Sequence, residues 1–390
     1  MKKLFLFSTI FFILFLIPLA KATDISNCSE LNASDTYYLT ADIINASGIG
    51  ENQACLDIIA NNMILDCQGY MINGIGSDIG IYLGATENVT VRNCVVTDWS
   101  FCVASDYSTN TTFENINVTS CGFYAIGFEY TNYSSMKNTV VSNSDIGIFV
   151  RKANYIDLKN TVVSNSDIGI YVPETNYINL SSCVCSNPYD NIVFEYSSNV
   201  VVSNCVANNG SSGVYFAFGE NGSFSDITAN NNSKGFFIDG ANHTVIRNSQ
   251  LNSNYYGLVI DGSSIKAFNN TITNTTANNN AHTGFYLYYA DNNTITNSTS
   301  NNNTNCGIVF SSSPNNIIIS STSNNNTNCG IYLESSSNNI IINSTSNYND
   351  YGISLGSSSN NTIISSTSNY NTYEGIYLYS SSNNTIINST

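Results

Sequence analysis

Positive charge is the scarcest property of this 390-residue chain. Eleven Lys and Arg stand against 27 Asp and Glu, and none lies beyond Lys266. Without clustered Lys and Arg a surface cannot neutralise a phosphate backbone, so no nucleic-acid partner is expected. Histidine is nearly absent, with only His243 and His282, and the methionines after the N-terminal segment are Met63, Met71 and Met136. An imidazole or thioether metal site has little to draw on, and Cys183-Val184-Cys185 with Cys205 is not a zinc spacing. No metal-ligand set and no certain cofactor is expected from these residues. Long apolar runs are missing too, save one at the start, so no membrane span is expected after it.

That one run reads MKKLFLFSTIFFILFLIPLAKA. Lys2 and Lys3 form a basic start, Leu4 to Leu19 is mostly apolar, and Ala20-Lys21-Ala22 fits small-x-small before a cut. This pattern predicts a secretory signal peptide over residues 1–22 and a mature chain that is secreted or held at the cell surface. Cleavage removes three basic residues (Lys2, Lys3 and Lys21) and no acid, moving the net charge from −16 to −19. All 11 cysteines follow the signal, as suits an oxidising compartment, and the odd number leaves at least one free or paired between molecules. Many Asn-x-Ser/Thr sequons occur, among them Asn27, Asn32, Asn45, Asn88, Asn110, Asn117 and Asn343. They are N-glycosylation acceptors in a cell that glycosylates exported proteins. A chain rich in Asn, Ser and Thr also makes sequons by chance.

What the chain has in plenty is repetition. TVVSNSDIGI occupies residues 139–148 and recurs letter for letter at 161–170, 22 residues later. Stepping outward from Ile148 and Ile170 gives the column Ile81, Val103, Ile126, Ile148, Ile170, Ile192, Val214, Phe236, Leu258, Phe285, Ile308, Ile331, Ile353 and Ile376. Its steps are 22 or 23, with one of 27 before Phe285. A second column two residues later is apolar except at Ser105, and two is the spacing of a strand. A third runs from Val91 to Ile386. The long coil carries four extra residues. Short strands on this period describe a coil that returns above itself and buries its apolar face only by stacking. The LxxLxL pattern and helical arm of leucine-rich repeats are absent, and helical repeats need a 3.6 period. The expected fold is therefore all-β: a parallel β-helix of about 14 coils. Two residues after the third apolar column, Asn fills ten of 14 places, from Asn93 to Asn388. This predicts a structural Asn ladder at a left-handed turn. Small residues such as Ser108, Thr131, Ala153, Ser197, Gly219, Ala241, Ser263 and Ser313 mark a tight corner.

The repeat resembles the right-handed parallel β-helix repeat of secreted proteins, in particular the NosD-like and pectate-lyase-like groups. CLDIIANNMILDCQGYMING, at 55–74, is similar to the N-terminal coil of archaeal and bacterial surface members. The resemblance covers about residues 50–390 and speaks for fold. Such repeats serve lyases, hydrolases, epimerases, adhesins and surface-layer proteins alike. The NosD-like resemblance implies copper handling, for which the sequence offers no Met or His cluster. Residues 23–54 are expected to cap the N-terminal end, with Cys28 and Cys55 a candidate bridge. The coils proper run over 55–390 and stop mid-coil, so further coils or a partner are expected to cover that end. Cys183 with Cys205 and Cys306 with Cys329 share columns, within disulfide reach or as buried free thiols.

Candidate chemistry lies on the outer positions of the first strand. One residue after the first column come Tyr82, Phe149, Tyr171, Tyr215, Phe237, Tyr286, Tyr332 and Tyr377; three after it come Asp106, Glu129, Glu195, Asp239, Asp261 and Glu334. Aromatic rings stack on sugar faces and carboxylates accept hydroxyl hydrogen bonds. The ligand-binding candidates are thus Tyr171, Glu195, Tyr215, Phe237, Tyr286 and Tyr288, although Tyr and Phe also favour strands for their own sake. Asp239 and Asp261 should be stacked neighbours, and carboxylates that close raise a pKa or call for a cation such as Ca2+. With Lys266 in the adjoining insertion they form the candidate catalytic set, resembling the paired acids of polysaccharide hydrolases and lyases. Arg151 and Lys152, the only adjacent basic pair in the mature chain, soften the acidic face. The leading expectation is a structural or adhesive surface protein that binds an extracellular glycan or a neighbouring protein. The alternatives are a polysaccharide-processing enzyme and a NosD-like periplasmic metal-associated protein.

Overall fold

The computed structural model describes residues 22–390; the expected signal peptide, apart from Ala22, lies outside the described residues. The chain winds as a right-handed parallel β-helix with no α-helix among the described residues. Each coil contributes a strand to a first sheet, as in Ile168–Pro173, whose Ile170 sits opposite Ile148 of the coil before. A second sheet is built from segments such as Glu87–Arg92 and Thr109–Glu114, and a third from segments such as Val95–Thr97 and Val206–Asn208. Beyond Val206 the third sheet shrinks to single bridges, Thr276 on Thr299 and Thr299 on Thr322 among them. The twin TVVSNSDIGI segments lie on one another, Thr139 on Thr161 and Val141 on Val163.

The first apolar column is buried from Ile81 to Ile353. Each such side chain contributes about 1.5–3 kcal/mol by leaving water. Ser105, the one polar member of the second column, also points inward and shares a hydrogen bond with Thr131 at 3.4 Å. Residues 23–54 continue the stack. Within them Ser29–Leu31 pairs in parallel with Leu56–Ile58, and Leu56 in turn pairs with Ile81. In the long coil residues 263–266 bulge into solvent. Ala267, not Ser263, then takes the buried small place at the corner and pairs with Ala290.

A coil of this size needs abrupt corners, and the chain makes them with left-handed residues. The whole Asn column, from Asn93 (φ 56) to Asn388 (φ 50), has this conformation, including its Ser182 (φ 54) and Asp226 (φ 57) members. Most L-residues pay roughly 1–2 kcal/mol there, and Asn pays least. Amides of this column link in series over part of its length: Asn115 donates to Asn93 at 3.0 Å, Asn138 to Asn115 at 3.1 Å and Asn160 to Asn138 at 3.1 Å.

Two further Asn ladders, unforeseen from the sequence, run inside the C-terminal coils. In one, the backbone N–H groups of Asn280, Asn303 and Asn326 donate to the side-chain oxygens of Asn303 (2.9 Å), Asn326 (2.9 Å) and Asn349 (2.8 Å). In the other, Asn270, Asn293 and Asn316 donate likewise to Asn293 (2.9 Å), Asn316 (2.6 Å) and Asn339 (2.7 Å). These side chains are fully enclosed, so each bond satisfies a backbone group that has no water to turn to.

Five disulfides join neighbouring turns of chain: Cys28–Cys55, Cys67–Cys94, Cys102–Cys121, Cys183–Cys205 and Cys306–Cys329. Cys185 is the remaining thiol and is buried, which pushes its pKa up to about 12. Alkylation of the folded, unreduced protein should therefore label no cysteine, and alkylation after unfolding without reductant should label Cys185 alone; peptide mass spectrometry reads both, and label elsewhere contradicts the pairing. Asn326→Leu should lower the unfolding free energy by about 2–4 kcal/mol, because it strands buried backbone groups. Asn138→Gly, on the exposed ladder, should cost under about 1 kcal/mol, since water replaces the amide. Urea midpoints of the two variants compare them directly, and equal losses would contradict the ladder's role.

Candidate glycan-binding face

The outer side of the first sheet carries the aromatic and acidic rows, and the structure shows how they meet. Tyr171 donates to the Glu195 carboxylate at 2.7 Å, Tyr215 to Asp239 at 3.2 Å and Tyr82 to Asp106 at 3.5 Å. Each pair joins a tyrosine of one coil to an acid of the next, 24 residues on. A Tyr with an acid 24 later, one coil plus one strand step, is the sequence signal that would have found this rung. Ring faces are likewise spoken for. Tyr215 stacks on Phe237 with centroids 4.9 Å apart, and the Lys234 ammonium sits 3.7 Å from the Phe237 centroid. These rings present edges and hydroxyls rather than free faces.

Asp239 and Asp261 are paired in register, as their spacing implies. Burial raises the Asp239 pKa and the Asp261 charge adds to the rise, while the Tyr215 hydrogen bond opposes it. Asp261 accepts from the backbone N–H of Ser263 at 2.8 Å, a turn contact. Lys266 is 76% exposed and pairs with Asp291 at 3.4 Å, and His243 faces Glu220 at 3.2 Å. Lys266, grouped with this acid pair by sequence, thus has another partner.

A denser cluster lies lower on the same face. Asp106, Glu129 and Arg151 occupy one row in three successive coils. Burial pushes Asp106 up to about 6, the Glu129 charge adds to this, and the Tyr82 bond and Arg151 oppose it. One Asp106 carboxylate oxygen is enclosed with no hydrogen-bond partner. Arg151 approaches Glu129 at 3.3 Å, and the Tyr124 hydroxyl reaches Glu129 at 3.5 Å. Asp106 and Glu129 stood in the acidic row by sequence, but their burial depends on neighbours that a row cannot show.

The upper coils hold a groove of about 500 Å³. Tyr256, Tyr286, Tyr332, Tyr351 and Tyr377 line it, with His282, Asn305, Asn328 and Glu334. Its floor is apolar: Cys306, Cys329 and Val309 form a small buried cluster of their own, with Tyr286, Tyr332 and Tyr351 packed on it. In the row Tyr286, Val309, Tyr332, Ser354, Tyr377, smaller residues alternate with the rings. Successive tyrosines there stand two coil rises apart, roughly 9.6 Å, instead of stacking as Tyr215 and Phe237 do. Of the expected ligand-binding residues, Tyr286 lines this groove; Tyr171, Glu195, Tyr215 and Phe237 lie on lower coils. Tyr288 stands beside it, its ring 6.1 Å from that of Tyr286.

Soft metal donors are scattered. Met63 and Met136 are core residues, His243 and His282 bond separate neighbours, and no group of three or more His, Cys, Asp or Glu converges among the described residues.

Solved structures with the same coiling include a mutant of the periplasmic alginate epimerase AlgG, 11% identical over 94% of this chain and 83% of that one, with a TM-score of 0.45. The A-module of the Azotobacter vinelandii mannuronan C-5 epimerase AlgE6 is 13% identical over 91% and 90%, with a TM-score of 0.29. The Dettilon tailspike protein gp208 is 12% identical over 76% and 61%, with a TM-score of 0.43. No inference about activity follows at these levels of likeness. No curated protein matches the sequence significantly. The profile of the right handed beta helix region matches residues 234–390, and that of the periplasmic copper-binding protein NosD matches residues 25–177 and 128–275. With nearly two thirds of its length inside the second of these profiles, the chain belongs to the NosD family of right-handed β-helix proteins.

Proposed function

We propose that this protein is an extracytoplasmic glycan-binding β-helix, and that the tyrosine-lined groove over residues 256–377 is where the glycan sits. The observation that carries this reading is the groove itself: an apolar floor, several aromatic walls, and convergent amide, hydroxyl and carboxylate groups. Such a mixture of a few polar groups on an aromatic lining is the usual composition of a small-ligand site. The periplasmic description of the family and the five disulfides support a location outside the cytoplasm.

The family description names copper. A copper site takes imidazole and sulfur ligands in close convergence. Here ten cysteines are in disulfides, Cys185 is enclosed, and the histidines face Glu220 and Thr283. The donors do not fit a copper centre, and no step is assigned to one.

A glycan array probed with the mature chain should show binding to oligosaccharides, weakened several-fold in Tyr286→Ala and in Tyr332→Ala, about 1 kcal/mol for each lost ring. Binding unchanged in both variants would remove the groove from the reading.

A second reading, polysaccharide cleavage, draws on the Asp106–Glu129–Arg151 row rather than on Asp239, Asp261 and Lys266. An acid held near pH 6 can keep its proton for a leaving group. The raised value also has a consequence for stability. The folded state holds the Asp106 proton more tightly than the unfolded chain, so its contribution is favourable at low pH. It is lost as pH rises from about 4, the unfolded value, through about 6. Asp106→Asn should leave stability unchanged near pH 4 and raise it by about 1 kcal/mol at pH 8, after allowance for solvent screening. Urea unfolding of both proteins at the two pH values tests this. Reducing-end assays on any bound glycan test cleavage, and product formed equally by Asp106→Asn would rule out this row.

A further inference from the structure

Charge in the groove is one-sided. Glu334 is the charged residue on its lining, and it is exposed at the rim. Ser311 donates to one Glu334 oxygen at 3.3 Å, which leaves the other to accept from a ligand. Asp350 and Glu374 lie close enough to Tyr351 to help raise its pKa, to which burial contributes most. No Lys or Arg follows Lys266 anywhere in the sequence. Burial lowers the His282 pKa, which disfavours a compensating charge there. Its ring nitrogens face Thr283 at 2.9 Å and the Asn305 amide at 3.4 Å, contacts that a neutral ring makes with one donor and one acceptor. An anionic polymer entering this groove would meet carboxylates and no counter-charge.

The same chain shows what its aromatic rings do when a cation is at hand. Lys234 lies over Phe237 at 3.7 Å, and Arg151 and Lys152 lie within 5.8 and 5.6 Å of the Tyr130 centroid. In the upper coils Tyr256, Tyr286, Tyr332, Tyr351 and Tyr377 line one groove, and beyond Lys266 the chain supplies no cation to cover them. Tyrosines around an open space with a carboxylate at the edge suit an ammonium group, whose charge is drawn to the ring faces and to the acid together.

We infer that the groove selects a glycan bearing protonated amines, an amino-hexose polymer, over neutral N-acetylated glycans and over polyuronates. The inference rests on the glycan-binding reading above and deepens it. An ammonium can point at Glu334 between Tyr332 and its neighbours, while the sugar body lies along the Cys306–Cys329 floor. Acetylation would remove the charge and leave the carboxylate unpaired; a uronate would place like charges together.

The test is calorimetric titration of the full mature chain with three probes of matched length: chitosan oligosaccharides, their fully N-acetylated counterparts, and oligogalacturonates. The titrations are run where the amines are protonated. The chitosan oligomer should bind about tenfold or more tightly than the acetylated one, and the uronate should not bind detectably. The preference should weaken with salt, as an exposed ion pair does. Glu334→Gln should bring chitosan affinity down toward that of the acetylated oligomer. Equal or tighter binding of the acetylated oligomer, or a preference unmoved by Glu334→Gln, would overturn this inference while leaving a glycan site in place. Tight uronate binding would overturn it as well. Failure of all three probes to bind would count against the glycan reading itself.

Discussion

Every coil of this protein must lie on the last in parallel register, and that single constraint organises the rest. A residue at a given station has its equivalents above and below it at strand spacing, roughly 4.8 Å. Apolar stations then merge into a continuous core. Amide stations become ladders, because an Asn can accept from one coil and donate to another, as Asn303 accepts from Asn280 and donates to Asn326. Ionisable stations become a difficulty, since like charges are held together, as at Asp239 and Asp261. The corners that bring the chain back each turn demand left-handed residues, and this is why Asn is so abundant.

In-register stacking also means that side chains tend to satisfy their own kind. The outer rows look by composition like a long adhesive strip. In the lower coils, however, Tyr171 is bonded to Glu195, and Tyr215 is stacked on Phe237. Side chains paired in this way have spent much of their binding capacity on one another. Val309 and Ser354 interrupt the tyrosine row, and the space beside them is the groove.

The register was legible because two periods survive throughout the sequence: two along each strand and 22 or 23 between coils. Where the period slips, the reading slips with it, as when the four-residue bulge moves the buried small station from Ser263 to Ala267. The interior ladders were hidden for another reason. In the run 301–303, Asn302 is a left-handed corner residue (φ 56) and Asn303 is enclosed in the core. Identical letters serve opposite environments, so composition cannot separate them. The acid cluster was half legible: Asp106 and Glu129 could be aligned, but the rise in the Asp106 pKa comes mainly from burial by neighbouring side chains. The groove was less legible still, because it depends on small residues standing where large ones stand elsewhere.

The Cys306–Cys329 bridge bears on whether that groove is more than a gap. Its two coils are already joined by paired strands, with Cys306 opposite Cys329 and Ile308 opposite Ile331, and by the Asn and Ser ladders inside. Cohesion of the stack does not require another link there. The bridge packs outside the main core, with Val309 and beneath three tyrosines. An apolar patch built on the outer wall, cross-linked and ringed by aromatic side chains, fixes the groove floor before any ligand arrives. Binding to a fixed floor loses less conformational entropy than binding to a mobile one, so on the proposed reading the bridge serves the groove as well as the fold.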